Sequence, residues 1–378
     1  MSQYRPPDLP YADMRQRLLH WYAQHGRSLP WRATRDPYAI WVSEIMLQQT
    51  QVKTVLPYYQ RWLAALPTIA DLANAPQGQI LKLWEGLGYY RRARYLQRAA
   101  QVICDRHDGV FPRDPEDVLA LPGIGRTTAG GILSAAFDGA APILDGNVKR
   151  VLARLVALPV PPSRAVSQQW TLSETLLDPA RPRDYNQALL DLGATLCRPR
   201  QPLCDRCPWQ PECIAYRDTR QAELPMKTPA PERPHKNIAV AVVFRGDLRN
   251  GGELLVDRRL DTSMLGGLWE FPGGKIEPHE TPAQCAVREV KEEIGIDVEF
   301  VEPLGTIQHA YTHFSITLQA FMCRYVSGEA QTLQCAEVRW ISPDEIPHFP
   351  FPVANQKLFP LLDSWLRKDE ISQQSPSS

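Results

Sequence analysis

Four cysteines packed into seventeen residues, Cys197, Cys204, Cys207 and Cys213, follow the spacing C-x6-C-x2-C-x5-C and read as a ligand set. Thiolates bind soft metals, and structural zinc sites usually pair two C-x2-C hairpins across a longer insert. Only the central pair here has that form, so four thiolates around one [4Fe-4S] cluster fit the spacing better. The other cysteines, Cys104, Cys285, Cys323 and Cys335, are scattered, and the chain opens without an apolar leader. Both features weigh against two disulfides in a secreted domain.

Three further patterns could carry chemistry. In Leu121-Pro-Gly-Ile-Gly-Arg-Thr-Thr-Ala, Gly123 and Gly125 form a tight turn before a helix. Such a turn aims backbone N–H groups and a helix N-terminus at a phosphate, although the same turn can serve packing alone. Downstream, Asp145 opens Asp145-Gly-Asn-Val-Lys-Arg, where it would suit a helix N-cap as well as a site. In the second half, Gly274-x5-Glu280-x7-Arg288-Glu289-Val290-x-Glu292-Glu293-x-Gly295-Ile296 matches the whole Nudix box. Glu289, Glu292 and Glu293 fall at i, i+3 and i+4, so one helix face presents three carboxylates suited to Mg2+ on a diphosphate, and the resemblance to Nudix hydrolases implies that Arg288 orients them. The plain alternative is a helix that is merely acidic.

Helices and strands must position these groups. Apolar residues recur at helical spacing at Met14, Leu18, Leu19 and Tyr22, at Val42, Ile45, Met46 and Gln49, and at Val148, Val151, Leu152 and Leu155. The first half is therefore expected to be all-helical. Ile238–Phe244, Glu253–Val256 and Phe314–Phe321 read as strands around a helix over Thr281–Ile294, making the second half α+β. Between them, Glu223–His235 holds four prolines without apolar periodicity and reads as a stiff linker. The expected division is a helical domain over 1–221, a linker over 222–236, an α+β domain over 237–368 and a disordered polar tail over 369–378. At 378 residues and 44% hydrophobic content, the chain can bury two ordinary cores. No apolar run is long enough to span a bilayer, so a soluble intracellular protein is expected. The zero net charge hides an asymmetry: residues 1–230 carry 28 Lys and Arg against 21 Asp and Glu, and residues 231–378 carry 14 against 21. A positive first half is compatible with a polyanionic partner without establishing one.

The glycine turn, the downstream aspartate and the cysteine cluster together resemble the helix-hairpin-helix base-excision DNA glycosylases, over nearly all of residues 10–215. Trp41-Val-Ser-Glu-Ile-Met-Leu-Gln-Gln-Thr-Gln-Val resembles the signature of the MutY family of adenine glycosylases, which generally carry a C-terminal MutT-like Nudix domain. The resemblance implies a nucleotide flipped from duplex DNA into a cleft, with Asp145 stabilising the cationic sugar as the base leaves. It implies Glu44 as the acid that protonates adenine and then activates water, where Glu44 alone would read as an exposed helical glutamate. Arg27, Trp31, Gln49 and Gln187 would line the adenine pocket, Asn147 would support Asp145, and Gln48 and Thr50 would engage the lesion strand. Thr127 stands where bifunctional relatives place a Schiff-base lysine, so a monofunctional hydrolase is implied. Gly86-Leu-Gly-Tyr-Tyr-Arg-Arg-Ala-Arg interleaves aromatic and basic residues that could contact phosphate or form a solvated helix face. In the second domain, Tyr311, Thr312 and His313 resemble the loop that contacts 8-oxoguanine. Asn355, in Phe-Pro-Val-Ala-Asn, resembles the MutT residue that reads the oxidised base.

The expected partner is double-stranded DNA carrying 8-oxoguanine:adenine mispairs, met by a monomer in a bacterial-type cytoplasm, at the nucleoid, and not by a membrane protein. Guanine:adenine is a second expected mispair. Two other readings remain open from sequence: an adenine glycosylase fused to a Mg2+-dependent oxidised-nucleotide pyrophosphohydrolase, and a catalytically idle binder of damaged DNA.

Overall fold

The computed structural model describes residues 6–228 and 233–372, with side chains described as far as Arg367. By compactness the described residues form two units, one running up to Asn74 and from Tyr95 to Thr228, the other made of Ala75–Arg94 and the chain from Arg233 onward. No described helix is long and apolar enough to cross a membrane.

The first unit is helical throughout, with a short π-helical segment at Leu192–Leu196. Its periodic apolar residues do close one core. Met14, Leu18 and Leu19 of the Tyr11–His25 helix meet Val148, Val151, Leu152 and Leu155 of the Gly146–Leu155 helix, with Ala188, Leu189 and Trp209 filling between them. Trp209 Nε1 donates to the Met14 carbonyl at 2.9 Å, so the cysteine-bearing segment is anchored to the first helix. The Pro37–Leu47 helix starts where Asp36 accepts from the N–H groups of Tyr38 and Ala39 at 3.0 and 3.3 Å. It is apolar on every side, and Glu44 is its one charged residue. The helix ends earlier than its spacing implies, because the backbone turns left-handed at Gln49, φ 59°. Gln49 is exposed rather than part of the helix's inner face.

The second unit is built on one mixed sheet: β1 His235–Arg245, β2 Glu253–Arg258, β3 Trp269–Glu270, β4 Gly273–Lys275, β5 Asp297–Ala310, β6 Ser315–Ser327 and β7 Glu337–Ile341. The strand order is β3-β2-β1-β6-β5, with β4 on β1 and β7 on β2; β1 and β6 run parallel. Along β1 the period of two sorts the core. Ala239, Ala241 and Val243 face Cys285, Ala286, Val290 and Ile294 of the Pro282–Ile294 helix, while Val240 and Val242 face Phe271, Phe351 and Leu358. That helix begins in a reciprocal capping box between Thr281 and Gln284 and ends at Gly295 in the left-handed region. Strands β3, β4, β5 and β7 were not expected from sequence.

The expected linker differs at both ends. Leu224 is buried and its carbonyl accepts from Arg154 Nε at 2.8 Å, while His235 and Lys236 already belong to β1. Residues 229–232 lie outside the described residues, as does the expected tail from residue 373. Residues 369–372 correct the disordered-tail expectation, since they close the Phe359–Ser372 helix, whose Phe359, Leu362 and Trp365 pack on the sheet.

Candidate active site

Helices and loops of the first unit line a cavity of 590 Å³. The Pro37–Leu47 helix brings Glu44, the Arg126–Phe137 helix brings Thr127, Thr128 and Gly131, and Asp145 and Asn147 come from the start of the Gly146–Leu155 helix. Arg27, Trp31 and Arg32 enter from the loop after the first helix, and Gln187 from Pro182–Asp191. Two glycines in the Arg126–Phe137 helix make this closeness possible. A Cβ on Gly131 would sit 2.6 Å from the Glu44 carboxylate, and one on Gly130 would collide with the Pro142 carbonyl.

The two carboxylates sit in an environment that favours their neutral forms. Burial, then the neighbouring Asp145 charge, pushes the Glu44 carboxyl up from 4.5 to about 7, with Arg32 pulling the other way. Burial also raises Asp145, opposed by its hydrogen bonds. Asp145 is both N-cap and cavity residue: Oδ1 accepts from the Val148 N–H at 2.7 Å, and Oδ2 accepts from Asn147 Nδ2 at 3.1 Å. Arg150 extends this chain, donating to Asn147 Oδ1 at 2.8 Å and to the Cys197 carbonyl at 2.8 Å.

Most of the expected residues come together here. Arg27, Trp31, Glu44, Gln48, Thr50, Thr127, Asp145, Asn147 and Gln187 all line the cavity. Gln48 donates to Thr128 Oγ1 at 3.1 Å. Gln49 does not line it; the left-handed turn carries it outward, and Gln51 takes a place in the wall. Gly123 and Gly125 stand apart in the exposed hairpin. Gly123 has φ 80°, and a Cβ there would meet Tyr95 Cβ at 2.7 Å, while Gly125 is the N-cap of the following helix. Sequence reasoning missed Arg32, Lys53, Gly131 and Asn186 in the wall. The paired glycines Gly130 and Gly131 inside a helical pattern were the one available signal, since a mid-helix glycine marks close packing.

The four clustered cysteines lie near one another around Arg154, which donates to Cys197 Sγ at 3.4 Å and to the Arg198 carbonyl at 2.7 Å. Burial, and then neighbouring thiols, raise Cys207 to about 12; the same causes raise Cys204 and Cys213. Among the described residues no three His, Cys, Asp or Glu side chains converge closely enough to hold a single metal ion. Four cysteine thiols are the donor set by which a polynuclear iron–sulfur group is held. A basic hollow of 940 Å³ beside them is lined by Lys149, Arg150, Arg200 and Lys227, with Asp205 the acidic member.

In the second unit, Tyr311, Thr312 and His313 occupy the tight connection between β5 and β6, closed by the Tyr311 N–H donating to the Phe314 carbonyl at 2.8 Å. Tyr311 stacks on Phe314 at 4.7 Å, and Thr312 pairs with the Tyr89 hydroxyl at 2.5 Å. Asn355 is buried, and its Oδ1 accepts from the Phe271 N–H at 3.2 Å. Arg288 binds Glu280, Glu289 and Glu292 at 2.7, 3.0 and 3.0 Å, and Glu293 accepts from the Gly273 N–H at 3.2 Å and is pushed up to about 8 by burial and then by Glu270 and Glu289. Among the described residues the three Nudix carboxylates do not form a group that could hold a metal ion.

Residues 42–171 match the HhH-GPD superfamily base excision DNA repair protein family, and residues 242–361 match the NUDIX domain family. The chain is 37% identical over 396 residues to an adenine DNA glycosylase of Mus musculus, covering 91% of this chain and 77% of the relative. The adenine DNA glycosylase of Homo sapiens is 35% identical over 395 residues, covering 90% and 72%. The solved structure of a thermostable thymine-DNA glycosylase superposes with a TM-score of 0.52 at 30% identity, covering 55% of this chain and 97% of that one.

Proposed function

The chain belongs to the adenine DNA glycosylase family, and from that membership we propose that it hydrolyses the N-glycosidic bond of adenine in duplex DNA, as a base excision repair enzyme. The observation that carries this reading is the pair Glu44 and Asp145 on one cavity, with Glu44 raised to about 7. A carboxylic acid still partly protonated at neutral pH can give its proton to a ring nitrogen of adenine, which is a poor leaving group until protonated. Asp145, held by Val148 N–H and Asn147, then faces the cationic sugar as the bond loosens. The Glu44 carboxylate left behind takes the proton of an attacking water.

Arg27, Trp31, Gln48 and Gln187 would frame the flipped base, and the Gly123–Gly125 hairpin would take a phosphate. Thr127 offers no amine, so a monofunctional enzyme is proposed. Cys197, Cys204, Cys207 and Cys213 would hold a [4Fe-4S] cluster, which when bound ties down the Arg198–Leu203 loop. In sequence terms the proposed division is a glycosylase domain over 1–221 and a Nudix-like domain over 237–368, with the segment 75–94 packed in the second unit. That second domain is assigned the reading of 8-oxoguanine opposite the adenine, through Tyr311, Thr312, His313 and Asn355. Arg288 holds Glu280 through both oxygens and Glu289 and Glu292 through one each, and the second domain is read as a passive reader rather than a second hydrolase. The proposed protein acts as a monomer.

Single-turnover release on duplexes with adenine opposite 8-oxoguanine, guanine or thymine tests the reading. Adenine should leave fastest opposite 8-oxoguanine, with the strand intact until alkali, and Glu44→Gln should abolish release. Release of another base, or a borohydride-trapped adduct at Lys53, the lysine of the cavity wall, would overturn it.

A further inference from the structure

Asp191 ends the Pro182–Asp191 helix with none of its surface exposed, and its carboxylate takes five contacts from the loop bearing Arg27 and Arg32. Oδ1 accepts from Arg27 Nε at 2.7 Å and Arg32 Nη2 at 2.8 Å, and lies 2.6 Å from Arg27 Nη2. Oδ2 accepts from the Arg27 N–H at 2.9 Å and Arg32 Nη1 at 2.8 Å. Arg32 Nη1 also donates to the Arg27 carbonyl at 3.0 Å, while Arg32 Nε is buried with no partner among the described residues. A planar guanidinium bound through both terminal nitrogens has its plane and its charge fixed.

This carboxylate joins two walls of the base cavity. Its helix brings Asn186, Gln187 and Leu190 to the cavity, and the loop it grips brings Arg27, Trp31 and Arg32. The charged groups facing Glu44 are Asp145 and Arg32; those acting on Asp191 are Arg32 and Arg27, and Tyr22 feels Arg32, Asp191, Asp184 and Arg183. Arg32 stands 5.7 Å from the Tyr22 ring. Two guanidiniums facing a cavity that works through a protonated carboxyl would favour its ionised form unless an anion holds them.

We propose that Asp191 is a positioning residue for base release: it clamps Arg27 and Arg32 into the cavity wall and commits the Arg32 charge to itself, so that Glu44 keeps its proton. The inference rests on the reading of Glu44 as the proton donor.

The test is Asp191→Asn, which keeps the side-chain size and removes the charge. Single-turnover adenine release should fall at least about tenfold, with duplex Kd changed by less than about threefold. The pH at which release falls off should move down by about one unit, because the freed Arg32 then favours the Glu44 carboxylate. Asp191→Glu, which restores the charge, should return the fall-off to its wild-type pH. A readout without catalysis runs in parallel: the pH at which the stability advantage of Glu44→Gln levels off should drop equally in the Asp191→Asn background, and the advantage there should be smaller. A folded Asp191→Asn with a wild-type fall-off, or a rate loss matched by lost duplex binding, overturns the proposal. If Asp191→Asn does not fold, Arg32→Gln takes its place; there the fall-off must move to higher pH, and an unmoved one overturns it. If the wild type releases no adenine from any duplex, the glycosylase reading fails and the stability readout alone decides the role of Asp191.

Discussion

Replacing Glu44 by glutamine should stabilise the protein as it silences it, and the stabilisation should depend on pH in a way the cavity dictates. In the folded chain the Glu44 carboxyl is raised from 4.5 to about 7, first by burial and then by Asp145. A group raised on folding stabilises fully below its unfolded value, and that contribution drains away as pH climbs to the folded value. The rise from 4.5 to about 7 is worth about 3 kcal/mol, all of it lost by pH 8. Glutamine fills nearly the same space beside Gly131 and never ionises. Glu44→Gln should therefore match wild type near pH 4.5 to 5, gain progressively, and lead by about 3 kcal/mol at pH 8. Urea denaturation of both proteins from pH 5 to pH 8.5, followed by tryptophan fluorescence, measures the difference at each pH. The same carboxyl should govern catalysis, with wild-type adenine release declining above about pH 7. A stability difference that stays flat across this range would show that Glu44 is not held neutral, and the acid role would go with it.

Gly131→Ala places a methyl 2.6 Å from the Glu44 carboxylate and should cut single-turnover adenine release by about 100-fold with duplex affinity intact; unchanged release would show that Glu44 need not lie where it does. Cys204→Ser, or removal of iron by a chelator under denaturant, should lower folded yield and duplex affinity together, and a well-folded, fully active iron-free protein would refute the cluster assignment. Replacing Lys149 and Arg200 with alanine should weaken duplex binding and flatten the slope of log affinity against log salt by about 2, read by fluorescence anisotropy; an unchanged slope would remove the basic hollow from the DNA path.

Local features carried well from sequence to structure. The Nudix helix was readable to its cap because Thr281 and Gln284 satisfy each other within one turn, and Gly295 ends it through a conformation that favours glycine. Asp145 was legible as a cap and as a candidate site residue, and it caps its helix and lines the cavity. What failed was of two kinds. Gln49 shares the helical spacing of Val42, Ile45 and Met46, but spacing cannot reveal a backbone that turns left-handed just past the last turn. β5 escaped because Pro303 and a run of exposed side chains hide its period, as suits the edge strand of the sheet. Arg32 and Asp191, 159 positions apart, meet only through the packing of separate elements, and nothing local to either residue announces the other.

The assignment of Ala75–Arg94 to the second unit changes how the chain can be dissected. The Gln77–Trp84 helix ends in a segment stitched to that unit, with Lys82 Nζ donating to the Phe349 carbonyl at 3.1 Å and Glu85 accepting from the Phe351 N–H at 2.9 Å. The polypeptide thus passes from one unit to the other at three places along its length, near residues 74, 94 and 230. A protease cutting only in the proline-rich stretch would leave the chain from residue 231 onward with no covalent tie, held only by its contacts with the Ala75–Arg94 segment that stays on the other fragment. A fragment begun at residue 237 would lack a helix of its own unit, so the cloning boundary and the physical one are different things in this protein.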